Sequence, residues 1–187
     1  MKKIKLLITI ILVLFCSNSF AGEKANPNPE SQLYPSFKMI KTFGYIGLDL
    51  TGTAEKIGLK HDELTDYLRL RFKNSFANFE YKENDDIASA MSDEKIAPTI
   101  GSIQIKVWTG GEEHYPIAIH IKLSTGNLAD SDDYVDEYLG TGSKSSIPTT
   151  VKKDISSMID KLAIAFFKAR GELYWRNKEK TLWKRTH

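Results

Sequence analysis

The chain has 187 residues, 41% hydrophobic and 27% charged, with six prolines, twelve glycines and one cysteine. That mixture suits one folded domain and excludes a disulfide-stapled miniprotein or a low-complexity chain. A formal net charge of +2 is too small to mark a nucleic-acid-binding protein by charge alone.

The first 21 residues read as a secretory signal peptide. Lys2, Lys3 and Lys5 give a positive start with no acid, Leu6 to Phe15 give an apolar stretch, and Ser19-Phe20-Ala21 ends in the small-x-small pattern of a cleavage site. The apolar stretch, about ten residues, is shorter than the roughly 17–25 that a spanning helix needs. A periplasmic or secreted product, cleaved after Ala21, is therefore expected. Cys16 follows Phe15, where a lipoprotein acceptor wants a small residue, so lipidation there is disfavoured. Cleavage removes the lone cysteine, and with it any disulfide, thiolate nucleophile or cysteine metal ligand. The mature chain holds 23 basic and 24 acidic residues, a net charge of −1. From Lys168 onward seven basic residues face two acids, so that end is +5 and the rest of the mature chain −6.

Residues 22–36 carry Pro27, Pro29 and Pro35 among polar residues and read as a solvated, disordered linker that contributes nothing to a core. The folded domain is expected over 37–171, with a basic, aromatic tail at 172–187. Phe43 to Leu50 alternates Ile46, Leu48 and Leu50 against Tyr45, Gly47 and Asp49, which predicts a strand with one buried face. Leu64, Leu68, Phe72 and Phe76 then recur every fourth residue, an apolar helical stripe whose N-terminus is favoured by Asp62 and Glu63. A short strand is expected at Phe79 to Tyr81. The polar stretch that follows reads as a mobile loop or as holding a short helix near Ile87 to Met91.

Ile103, Ile105 and Val107, and then Ile117, Ile119, Ile121 and Leu123, alternate with polar or small residues, predicting two strands joined as a hairpin. Gly110-Gly111 is expected to supply positive φ angles in the turn. Another strand is predicted at Tyr134 to Leu139. A long helix from about Thr149 to Ala169 carries Val151, Ile155, Met158, Ile159, Leu162 and Phe166 on one face, with Gly171 as its stop. One-sided strands and two one-sided helices specify an α+β two-layer sandwich in the order β-α-β-β-β-α, its mainly antiparallel sheet covered by the two helices.

The run GLDLTGTAEKIGLKHDELTDYLRLRFKNSF, with its Gly58-Leu59 pair and Arg69-Leu70-Arg71 core, followed by IQIKVW, YPIAIHIKL and YLGTGS, resembles a family of small exported bacterial proteins of uncharacterised function. The likeness spans roughly Gly44 to Gly171. It implies the fold and export, and brings no active site with it.

Catalytic, cofactor and metal signatures are missing from the sequence. His187 is terminal and His61 opens the first helix. His114 and His120, on one extended strand, would stand roughly 20 Å apart, too far to share an ion, and no H-E-x-x-H occurs. YLGTGSKSS lacks the glycine spacing of a phosphate loop. Asp130, Asp132, Asp133, Asp136 and Glu137 form an acidic cluster without the register of a calcium loop, which reads as a solvated edge. No G-x-S-x-G is present. The C-terminal stretch places Trp175 and Trp183 among Arg176, Lys178, Lys180, Lys184 and Arg185, a candidate surface for anionic lipid or an acidic partner. The leading expectation is a non-catalytic envelope binding or assembly protein that meets a protein or envelope component, without nucleic acid. A periplasmic small-ligand carrier and a hydrolase are the alternatives.

Overall fold

The computed structural model describes residues 32–82, 87–111 and 116–172, apart from the side chains of Ser131 and Asp132. The signal segment, His114 and the candidate contact residues Trp175, Arg176, Lys178, Lys180, Trp183, Lys184 and Arg185 lie outside the described residues.

Among the described residues there are four strands and three α-helices, in the order β1 (Thr42–Gly52), α1 (His61–Ser75), α2 (Ile87–Ser92), β2 (Ile100–Gly110), β3 (Ile117–Asn127), β4 (Asp130–Gly142) and α3 (Ile147–Ala169). They build an α+β fold on one mixed sheet, ordered β1-β2-β3-β4. β1 is parallel to β2, and the β2–β3 and β3–β4 pairs are antiparallel. The parallel pair follows from the connection, since α1 and α2 carry the chain back before β2 begins.

Strand alternation sorts the side chains. Ile46 and Leu48, Ile103, Ile105 and Val107, and Ile117, Ile119, Ile121 and Leu123 are buried in one cluster with Leu64, Leu68 and Phe72 of α1 and Val151, Ile155, Ile159, Leu162 and Phe166 of α3. Phe166 sits among the rings of Phe37, Phe43, Phe76, Phe79 and Phe167, with centroids 4.9 to 5.7 Å away, within the range of favourable edge and tilted contacts. α1 and α3 run in the same direction, because Glu63 pairs with Lys152 and Arg71 with Asp160, partners 89 residues apart in both cases. Ser75 adds a hydroxyl donor to the other Asp160 oxygen at 2.7 Å. Beyond Ala169, Gly171 takes φ 71°. Its N–H reaches the Lys168 carbonyl, while the Glu172 N–H reaches back to Phe167, a left-handed stop that an L side chain would disfavour.

Four sequence expectations are corrected. The expected solvated linker, residues 22–36, does not hold at its last three residues: Tyr34 stacks on Phe37, Ser36 is buried, and its N–H donates to Asp133 at 3.0 Å. Aromatic packing at the 3-10 turn Pro35–Lys38 thus outweighs the polar composition around it. The short strand at Phe79–Tyr81 is reduced to a single bridge between Phe43 and Tyr81, because Phe79 turns into the aromatic cluster instead of extending. Among the described residues four strands form in place of five segments. In the β2–β3 turn Gly111 has φ 125° and Gly110 keeps strand geometry; the indole of Trp108 lies where a Gly110 side chain would stand.

Candidate functional site

Among the described residues α1 and α3 cover one face of the sheet. The other presents Tyr45, Gly47 and Asp49 of β1, Ser102, Gln104, Lys106 and Trp108 of β2, His120, Lys122 and Ser124 of β3, and Val135, Glu137 and Leu139 of β4. Trp108 is 45% exposed and Leu139 76%, so apolar as well as polar surface is left open there.

At one end of this face α2 folds over the sheet. Ala90 of α2 packs with Ala97, Ile100 and Leu128 in a small second cluster, with Ile87 alongside. The space between helix and sheet is a cleft of about 440 Å³, lined by Tyr45, Ile87, Met91, Ser102, Gln104, Lys106, Lys122, Ser124 and Leu128. Ile87, Met91 and Leu128 make one wall apolar; the floor is polar. The phenol ring of Tyr45 lies over Gly47, an aromatic covering a same-face glycine two residues on. Tyr138 treats Gly140 in the same way on the helix-facing side.

The cleft floor has an unusual charge order. Register pairs Asp49 with Lys106, Lys106 with Lys122, and Lys122 with Glu137, so acid, base, base and acid cross four strands in one row. Directly opposed strand residues have Cβ atoms about 4.5–5.5 Å apart, and like charges in that position are destabilising. The flanking acids relieve this only in part. Glu137 is shared between Lys122 at 3.7 Å and His120 at 3.6 Å, both beyond hydrogen-bond length. Asp49 accepts from the Gln104 amide at 2.9 Å, and among the described residues Lys106 has no ion pair.

The remaining candidate groups are engaged elsewhere. Asp133 accepts from the Ser36 N–H, and Asp136 pairs with Lys161 at 3.1 Å. The acidic cluster is thus partly spent on tying β4 to its neighbours. Among the described residues no group of three or more His, Cys, Asp or Glu side chains could hold a metal ion. His61 Nε2 lies 2.8 Å from the Leu48 carbonyl and Nδ1 lies 3.2 Å from Asp62. The hydrogen bond to Asp62, and then that to Leu48, raises its pKa above 6.5. His120 faces Glu137, and no serine hydroxyl is hydrogen-bonded to either of these histidines among the described residues. In YLGTGSKSS, Ser143 and Ser146 bond each other's groups at the start of α3, as a turn. The Arg69-Leu70-Arg71 core is structural: Arg69 lies over the Tyr81 ring and Arg71 holds Asp160.

Sequence reasoning placed no site on the open face. Its signal was there in two forms: a lysine at matching places in two adjacent strands, Lys106 and Lys122, and the aromatic-x-Gly repeats Tyr45-Ile46-Gly47 and Trp108-Thr109-Gly110. Either reads as ordinary solvated strand until the register is known. Among the described residues no helix is long and apolar enough to cross a membrane. The chain matches no protein-family model, and no curated protein is significantly similar to it.

Proposed function

We propose that this protein is an exported, non-catalytic binding module of the bacterial envelope, related to the small exported proteins that its sequence resembles, and that it binds through the open face of its sheet. The observation that carries this reading is the cleft under α2, where a polar, lysine-bearing floor meets an apolar wall. Pockets that combine apolar lining with a few convergent polar groups are the usual form of a ligand site. Large aromatic side chains fill the space between the sheet and the two long helices, so a carrier would use the cleft and not the interior. The basic tail, with Trp175, Arg176, Lys178, Lys180, Trp183, Lys184 and Arg185, supplies a second contact to an anionic envelope surface or an acidic protein.

Lysine acetylation footprinting tests the main claim. Lys106 and Lys122 should be protected in intact cells relative to the purified mature protein, whereas Lys73 and Lys153 on the helices, both exposed, should label equally in the two. Equal labelling at all four would remove the open face as a binding surface. For the tail, removing residues 173–187 should reduce salt-dependent co-sedimentation with envelope fractions and leave the circular dichroism spectrum of the domain unchanged. Unaltered sedimentation would refute that contact.

A further inference from the structure

We infer that the cleft under α2 is a site for a medium-chain aliphatic carboxylate, its head on Lys106 and Lys122 and its stem against Ile87, Met91 and Leu128. This rests on the reading of the open face as the binding surface and adds the chemistry of what fills it. Two ammonium groups on opposed positions of neighbouring strands repel; an anion between them turns that repulsion into two attractive contacts. Ser102, Gln104, Ser124 and Tyr45 line the same floor and carry hydroxyl and amide donors for a carboxylate's remaining lone pairs.

Charge selects the head. Asp49, Lys106, Lys122 and Glu137 sum to zero along the row, so the positive centre is narrow and flanked on both sides by acids. A monoanion fits that pattern; a phosphate dianion would bring its second charge against Asp49 or Glu137. A second copy of this chain, placed face to face with the two rows superposed, would set lysines against lysines and acids against acids. Volume selects the stem. A cleft of about 440 Å³ lies toward the small end of ligand pockets and suits a chain of about six to ten carbons. Met91, 56% exposed on α2, gives the wall an unbranched thioether that adapts to stems of different length.

The experiment uses the mature protein with Trp175→Phe and Trp183→Phe, so that Trp108, beside the lysine row, is the remaining tryptophan and reports binding by its emission. Acetate, butanoate, hexanoate and octanoate should bind with affinity rising about two- to four-fold per methylene, the range set by partial to full burial. Octan-1-ol should bind at least ten-fold more weakly than octanoate. Lys106→Gln and Lys122→Gln should each lower octanoate affinity at least ten-fold without lowering the melting temperature, and should leave octan-1-ol unaffected. Octan-1-ol binding as well as octanoate, or octanoate indifferent to both lysine substitutions, would overturn the carboxylate site. Octyl phosphate binding ten-fold more tightly than octanoate would overturn the choice of head group. A failure of all these probes while Lys106 and Lys122 remain protected in cells would sink the ligand class and leave the binding face standing.

Discussion

Replacing Arg170 by alanine should release the N-terminal turn from the end of α3. Its Nη1 group faces three main-chain carbonyls, of Phe37 at 2.8 Å, Lys38 at 3.1 Å and Ile40 at 3.0 Å, and its Nε donates to Glu172 at 3.0 Å. Nη1 carries two hydrogens, so three acceptors share the equivalent of two full bonds. Charge-assisted bonds each contribute about 1.5–3 kcal/mol, and the guanidinium also lies 5.0 and 5.3 Å from the centroids of Phe79 and Phe166, adding about 0.5–1 kcal/mol where solvent reaches. The side chain is 21% exposed, and water can repair part of the loss at Lys38. Together these give an expected cost of about 2–4 kcal/mol for Arg170→Ala, with Arg170→Lys intermediate because it keeps charge and loses the planar fork. Urea unfolding of the mature protein, followed by circular dichroism, measures it directly. A loss below about 0.5 kcal/mol, typical of an ordinary surface substitution, would refute the claim that this side chain fastens residues 34–40 to the domain.

Phe166→Ala, at the centre of five neighbouring rings, should cost about 3–5 kcal/mol, read from the same unfolding curves; a change under about 1 kcal/mol would mean that the rings do not form one packed cluster. His61 binds its proton more tightly in the folded protein than in the unfolded chain, since its pKa is raised by Asp62 and the Leu48 carbonyl. Its stabilising contribution is therefore complete below pH 6.5 and is lost as pH rises through the higher folded value. Unfolding midpoints should fall across that window in the parent and change less in His61→Gln, and an NMR titration placing His61 at or below 6.5 would contradict the assignment.

The fold was legible because its two long helices and strands β1 to β3 each bury mainly one face, while β4 half-buries Tyr134 and Tyr138. Leu64, Leu68 and Phe72, and Val151 through Phe166, point inward as their spacing requires, and so do the odd-numbered isoleucines of β2 and β3. The short pieces were less legible. Phe79 to Tyr81 has strand-forming residues, yet so short a segment is decided by the nearest aromatic cluster and not by propensity. Tyr34 and Ser36 sit in polar, proline-containing sequence and are drawn in by Tyr134 and Asp133, which are remote in the chain, and by neighbouring Phe37. The candidate site was hidden for a related reason. Lys106 and Lys122 meet only through the β2–β3 register, and most of the apolar wall above them comes from α2, whose six residues carry too little periodicity to announce what they cover.

The shared direction of α1 and α3 also determines how this sheet is able to grow. β4 runs parallel to β1, and the helix after each lies on the same side, so any crossover made with the hand of β1-α1-β2 steps outward past β4 and never back toward β3. That rim, with acids at Asp130, Asp133, Asp136 and Glu137 and neither lysine nor arginine between Asp130 and Gly142, repels a duplicate of itself and is suited to a cationic newcomer. The architecture is thus directional: a crossover of that hand carries a further strand outward, to the acidic margin of β4.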